Sequence, residues 1–162
     1  MSNLLATYLQ DHHAGATAGL ELARRTAGAN EESTYGPELA TIAEEIAEDK
    51  AALERVMERL GVKPHFLKDR GAWLLEKAGR LKPNDQWLSY SPLSRVLELE
   101  GLVVGVTGKL ALWDSLRTAI GESIDGTDFE ALAERARDQR TRLEALHDRA
   151  AGEAFRDDAA AG

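Results

Sequence analysis

The stretch from Ser91 to Ile120, SPLSRVLELEGLVVGVTGKLALWDSLRTAI, constrains the fold more than any other part of the chain. Its apolar residues recur at helical spacing and cover much of the helix circumference. Ser91 suits an N-cap, Pro92 suits the first helical position, and Gly121 suits the C-terminal end. A helix this apolar must be nearly surrounded by partners. The sequence therefore predicts a helical bundle.

Apolar periodicity and end signals predict further helices on both sides of this stretch. Pro37 opens one of them, and Thr127 with Glu130 forms a capping box for the last. The predicted long helices are Asn3–Ala27, Pro37–Leu60, Pro92–Ile120 and Asp128–Phe155, with a shorter helix at Leu67–Leu81 in the connection between the second and the third. We expect an all-α fold with one domain over residues 1–155 and a flexible tail over residues 156–162.

Amino-acid composition limits which binding partners and which cellular compartment we expect for this chain. A chain of 162 residues with a net charge of -8 is a poor match for nucleic acid or anionic membranes. The chain has no cysteine, which excludes disulfides and thiolate metal sites. Neither a signal sequence nor an apolar run of about 18 residues is present. We expect a cytoplasmic protein without nucleic-acid or membrane partners.

His12 and Asp49 both fall at positions where the helical pattern expects an apolar residue. The second helix places Asp49 in the series Leu39, Ile42, Ile46, Asp49, Leu53, Val56 and Leu60. If the first two helices form an antiparallel hairpin, His12 and Asp49 lie at similar heights. They are then a hydrogen-bonded structural pair, metal ligands or an acid–base pair. We expect both to be largely buried and within hydrogen-bond reach, directly or through one water.

A second candidate metal group comprises Glu100, Glu144 and His147. Glu144 and His147 form a Glu-x-x-His pair, which occurs in di-iron bundles because it presents a carboxylate and an imidazole on one helical face. The competing interpretation is a solvated or salt-bridged face. The arginines of the last helix alternate with acids, which predicts an exposed mixed-charge helix.

Small residues form a continuous face on each of two predicted helices. One face contains Gly15, Ala16, Ala18 and Gly19, and the other contains Gly101, Gly105, Gly108 and Ala111. Glycine lowers helix propensity, and close approach by a neighbouring helix can offset this cost. We expect the two faces to pack against each other.

The second helix, IAEEIAEDKAALERVMERLG, resembles the second helix of ferritin-like and rubrerythrin-like bundles. The order of two helices, a long connection and two helices is similar to the order in that superfamily. The amino-acid sequence also resembles an uncharacterised actinobacterial ferritin-like group. The resemblance implies a four-helix bundle. The Glu-x-x-His motif of the superfamily's second helix is replaced here by Glu45-Ile-Ala-Glu48. Glu100 and the Glu144/His147 pair match the ligand positions of the superfamily's third and fourth helices. The resemblance therefore implies a ferritin-like scaffold with an altered or missing metal site.

Three functions follow as hypotheses. Nucleophile-elbow, P-loop, dinucleotide-binding, zinc-protease and EF-hand signatures are missing, so we expect no catalytic residues and no cofactor. The favoured function is a non-catalytic bundle that acts through association, as a homo-oligomer or with another protein. The alternative is a di-metal Fe or Mn carboxylate protein for oxidation or metal storage, with His12, Asp49, Glu100, Glu144 and His147 as candidate ligands. A third is a carrier of a small ligand in the central cavity.

Overall fold

The computed structural model describes residues 3–64 and 90–160. Over these ranges the chain forms helices α1 (Asn3–Ala29), α2 (Gly36–Arg59), α3 (Pro92–Ile120) and α4 (Phe129–Ala160), with a small hairpin of β1 (Ser123–Ile124) and β2 (Thr127–Asp128). The prediction of an all-α protein is confirmed. The predicted short helix at Leu67–Leu81 lies outside the described residues. Within these two ranges, none of the helices has the length and apolar character to span a membrane.

The helix ends mostly follow local sequence signals. The Ser91 hydroxyl accepts a hydrogen bond from the Ser94 amide at 3.1 Å, which is the expected N-cap of α3. At α4 the cap differs from the prediction: the Asp128 carboxylate, not the Thr127 hydroxyl, accepts from the Ala131 amide at 3.1 Å. Thr127 lies in β2 instead. Helix α4 continues to Ala160, beyond the predicted end at Phe155 and into the segment expected to be flexible.

The β-hairpin between α3 and α4 was not predicted. Its strands pair antiparallel, with Ser123 opposite Asp128 and Ile124 opposite Thr127. Asp125 and Gly126 form the turn with φ of 49° and 79°, the left-handed conformation that two-residue hairpin turns require. Strands of two residues are too short for alternating hydrophobicity to reveal them.

Side-chain contacts between helices establish their relative directions. Helix α1 is antiparallel to α2, because Gln10 near its start donates to the Lys63 carbonyl just beyond the end of α2, at 3.0 Å. Helix α1 is also antiparallel to α3. Tyr8 donates to Ser115 at 3.2 Å, and Arg25 donates to Glu98 at 3.0 Å. Helices α2 and α3 therefore run in the same direction.

The chain positions on either side of residues 65–89 lie at opposite ends of α1. Lys63 is near Gln10, whereas the Tyr90 hydroxyl accepts from Asn30 at 2.8 Å. Helices α3 and α4 form an antiparallel hairpin, in which Arg137 contacts both Asp114 and Glu130. Helix α4 therefore runs in the same direction as α1.

The core lies between the four helices and is centred on α3. Trp113 of α3 is stacked on Phe129 of α4 with ring centroids 6.2 Å apart, and both side chains are buried. Helix α3 is less completely surrounded than its sequence predicts. Leu93 and Val104 are 50% and 59% exposed, so one side of the helix faces outward.

Candidate binding site

Asp49 lies on the inner face of α2 and is 1% exposed, which confirms the burial predicted from its position among apolar residues. Its carboxylate is fully hydrogen-bonded. The Lys109 Nζ donates to Oδ2 at 2.5 Å, the Gln139 Nε2 donates to Oδ2 at 3.2 Å, and the Arg135 Nε donates to Oδ1 at 2.8 Å. A buried carboxylate requires such partners because its desolvation is costly. Helices α3 and α4 supply all three.

The predicted direct hydrogen bond between His12 and Asp49 is absent, and a contact through one water stays a prediction. The His12 ring is half-buried and lies edge-on to the Tyr8 ring, with centroids 4.5 Å apart. Burial lowers the pKa of His12 below its ordinary 6.5, and Asp11 opposes this shift. The missed partner was Lys109, the one lysine within the apolar stretch of α3. A single charged residue within an apolar stretch was the signal that the sequence offered for a buried ion pair.

The polar contacts of Asp49 extend into a network across α2 and α4. Gln139 is fully buried and donates to Glu45 at 3.0 Å. Arg142 bridges Glu45 at 2.5 Å and Glu38 at 3.0 Å. Arg135 also donates to Glu48 at 2.9 Å, so these four acidic residues of α2 pair with cations of α3 and α4. The prediction that the arginines of the last helix form only an exposed mixed-charge face is therefore wrong for Arg135 and Arg142.

Lys109 holds the centre of this network. Its ammonium donates to both the Asp49 carboxylate and the Gln139 side-chain oxygen. Burial lowers the pKa of Lys109, and the Asp49 charge opposes that shift in part. We refer to Asp49, Lys109, Arg135 and Gln139 as the ionic floor.

The second predicted metal group does not assemble. Glu100 and Glu144 are exposed, and Glu144 is 3.5 Å from Arg140 of its own helix. His147 Nδ1 is 3.6 Å from the adjacent Asp148. Over residues 3–64 and 90–160, no group of three His, Asp or Glu side chains could hold a metal ion. The Fe or Mn alternative stays a prediction, without a ligand set in this part of the chain.

A cavity of about 380 Å³ lies beside the ionic floor, between α1, α2 and α3. The two small-residue faces line it, with Gly15 and Gly19 on one side and Gly105 and Gly108 on the other. A Cβ atom at any of these four glycines would meet nothing within 4 Å. The predicted close packing of the two faces is therefore wrong along this length. Only at Gly101 does a neighbour approach closely, with Leu22 Cδ2 at 3.1 Å from an added Cβ.

The cavity wall is mostly apolar, with a few polar groups. Its large apolar members are Ile46, Leu53, Leu102, Val104, Val106 and Leu112. Asp49 and Lys109 reach it from the ionic floor, and His12 reaches it from α1. Trp113 lines it as well. The Trp113 Nε1 atom is buried and has no hydrogen-bond partner within the described residues.

A second buried polar cluster is centred on Tyr35, between α1 and α2. The Tyr35 ring lies between two guanidinium groups, with Arg95 Cζ at 4.5 Å and Arg149 Cζ at 4.1 Å from its centroid. Its hydroxyl donates to Glu153 at 2.8 Å. Nearby, burial raises the pKa of Tyr90 to about 12. These contacts tie the start of α2 to α3 and α4.

The chain was compared with protein-family models, curated proteins and solved structures. No match was found in any of the three.

Proposed function

We propose that this protein is a non-catalytic helical bundle that binds a small, mainly apolar molecule in the cavity between α1, α2 and α3. The cavity of about 380 Å³ carries the proposal, because it combines a mainly apolar wall with a few polar residues, His12, Asp49 and Lys109. Small-molecule sites in proteins have this character: mainly apolar walls, a few placed polar groups and volumes of about 300–1,000 Å³.

The cavity glycines support the proposal energetically. Each glycine inside a helix costs roughly 1 kcal/mol relative to alanine. At Gly15, Gly19, Gly105 and Gly108 no neighbour occupies the position of a Cβ, so close helix packing does not explain their small size. Room for a ligand does explain it.

The ionic floor supports a non-catalytic role. Three residues donate hydrogen bonds to Asp49, and the nearby Glu45 accepts from both Gln139 and Arg142. Carboxylates held by protein cations are poorly placed to transfer protons or to bind a metal ion. We propose that the ionic floor has a structural role and stabilises the helices around the cavity.

We further propose that the scaffold is ferritin-like. The parallel directions of α2 and α3 and the resemblance of the second helix both support this assignment. Lys109, Arg135 and Arg142 then supply positive charge to the acids of α2, as metal ions do in di-metal bundles.

Association with a second copy or with another protein, the function favoured by the sequence, stays a prediction. Leu4, Leu93, Val104 and Phe155 are large apolar residues exposed on the described surface. Sedimentation velocity across a wide concentration range tests it: a strict monomer would count against self-association.

Titration with the neutral fluorophore N-phenyl-1-naphthylamine tests the binding function. We expect saturable fluorescence enhancement with one site per chain. Gly108→Leu should abolish it by filling the cavity. Gly28→Leu is the matched control, because Gly28 is also an open helical glycine but does not line the cavity. Lack of saturable binding, or equal binding by both variants, would overturn the proposal.

A further inference from the structure

We infer that Lys109 is a covalent attachment site, where its primary amine captures a small apolar aldehyde in the cavity as an imine. This inference rests on the proposed function and specifies the ligand class of the same cavity. Lysine amines form imines with carbonyl compounds, and burial of the side chain favours this reaction by favouring the neutral amine. Lys109 combines such burial with a place on the cavity wall.

The position of Lys109 brings its amine to the edge of the cavity. Gly105, Gly108 and Leu112 are its neighbours along α3, and all three line the cavity. Asp49 lines it from α2, and the two side chains meet at their polar ends, with Nζ 2.5 Å from Oδ2. The Lys109 side chain keeps 15% of its surface accessible, whereas that of Asp49 keeps 1%. The accessible part of this ion pair therefore belongs to Lys109.

The surroundings of Lys109 favour its reaction with an aldehyde. Burial lowers the pKa of the amine, and the Asp49 charge opposes that shift in part. The neutral amine is the form that attacks a carbonyl carbon. Lys50 also lines the cavity, but it pairs with Glu54, whose side chain is 44% exposed. Lys50 therefore provides a comparison within the same protein.

Imine formation is balanced without a co-reactant. The amine nitrogen uses its lone pair to bond to the aldehyde carbon, while the carbonyl π pair moves to oxygen, which takes up a proton. The resulting carbinolamine loses water as the nitrogen lone pair forms the C=N bond. Of the three ammonium protons, two leave with the carbonyl oxygen as water and the third stays on the iminium nitrogen. The positive charge is thus kept beside Asp49, and the ion pair survives attachment.

The cavity wall selects an aldehyde with an apolar body. Ile46 and Leu53 offer only van der Waals contact, so the body should be hydrocarbon. A ligand carboxylate would bring a second negative charge toward Asp49 in a poorly solvated space. Val104 and Gly105 line the cavity and are exposed, so the aldehyde enters beside them.

Reductive trapping with 2-naphthaldehyde and sodium cyanoborohydride tests the inference on the full wild-type chain. The reductant converts the imine to a stable secondary amine, and peptide mapping by mass spectrometry then identifies the modified amine among the six lysines of the sequence. We expect an adduct at Lys109, with yields on Lys50 and Lys63 lower by about tenfold, because binding beside an amine raises its effective concentration.

Variants and a competitor link the adduct to the cavity. Gly108→Leu should abolish labelling of Lys109 by filling the cavity, whereas Gly28→Leu should leave it unchanged. Lys109→Arg keeps the positive charge but forms no reducible imine, so its adduct should disappear. Excess naphthalene, which has the same rings without the carbonyl, should reduce labelling of the wild-type chain.

The outcomes separate this inference from the proposed function. Saturable binding of the fluorophore without a preferential Lys109 adduct would overturn the inference and leave the proposed function intact. A preferential adduct on Lys50, or equal labelling of Lys109 in Gly108→Leu and Gly28→Leu, would overturn the inference as well. Failure both to bind the fluorophore and to form the Lys109 adduct would overturn the proposed function too.

Discussion

The Nζ atom of Lys109 lies 2.5 Å from Oδ2 of Asp49, joining the middle of α3 to the middle of α2. The Asp49 side chain is 1% exposed and the Lys109 side chain 15% exposed. Removing one partner of a buried ion pair commonly destabilises a protein by about 3–5 kcal/mol, because the other charge is left uncompensated.

Lys109→Met should therefore lower the free energy of unfolding by about 3 kcal/mol, at the lower end of that range because Arg135 remains bonded to Asp49. Urea denaturation measures this change. Lys50→Met is the matched control, since Lys50 also lines the cavity but pairs with the exposed Glu54. We expect a loss below about 1 kcal/mol for the control. Equal losses for the two variants would contradict a special role for the buried pair.

His12 should make the protein less stable in mild acid. Burial holds its pKa in the folded chain below the ordinary 6.5, so the folded state disfavours the charged ring. This contribution is fully favourable above pH 6.5 and is lost as the pH falls through the lowered pKa, because the unfolded chain binds the proton first. As the pH falls from 8 to 5, the unfolding free energy should decline less steeply in His12→Gln than in the wild-type protein. An NMR titration that places the His12 pKa at or above 6.5 would refute this.

Two substitutions at Tyr35 should separate its hydroxyl from its ring. Tyr35→Phe removes the hydrogen bond to Glu153 and should cost about 1 kcal/mol. Tyr35→Leu also removes the contacts with Arg95 and Arg149, together with buried ring area, and should cost about 3 kcal/mol or more. Thermal and urea unfolding measure both. Equal costs would mean that the stacked arginines contribute nothing.

Glycine-to-alanine substitutions should change stability in opposite directions at two positions. Gly105→Ala should stabilise the protein by about 0.5–1 kcal/mol, because its Cβ would enter open space within a helix. Gly36→Ala should destabilise it, since its Cβ would lie 2.6 Å from the Glu31 carbonyl oxygen and 2.7 Å from that of Asn30. Unfolding midpoints in urea report the two signs. A loss of stability in Gly105→Ala would mean that the space beside this glycine is filled.

Metal loading should leave the protein without stoichiometric metal. After incubation with Fe(II) or Mn(II) and gel filtration, we expect well below one ion per chain, because Glu45 and Asp49 are bonded to Arg142, Arg135 and Lys109. Elemental analysis provides the measurement. One or two retained ions per chain, lost in Asp49→Ala, would instead favour the di-metal alternative.

Local sequence signals were sufficient for the helices. Ser91 and Pro92 mark the start of α3, and Gly121 follows its last residue, because caps depend on a few neighbouring residues. The burial of Asp49 also followed from the sequence, since helical periodicity fixes which face of α2 a residue occupies. The β-hairpin and the end of α4 could not be predicted in the same way, because their local sequence signals are weak.

Only the tertiary structure decided what Asp49 contacts and what the glycines surround. Periodicity places Asp49 and His12 toward the bundle interior, but the hydrogen-bond partner depends on the rotation and spacing of three other helices, which brought Lys109, Arg135 and Gln139 to Asp49. In the same way, Gly15 and Gly108 permit close helix approach without requiring it. Large buried side chains such as Trp113 and Leu53, which line the same space, help set the separation of the helices, and the space left between them is the cavity.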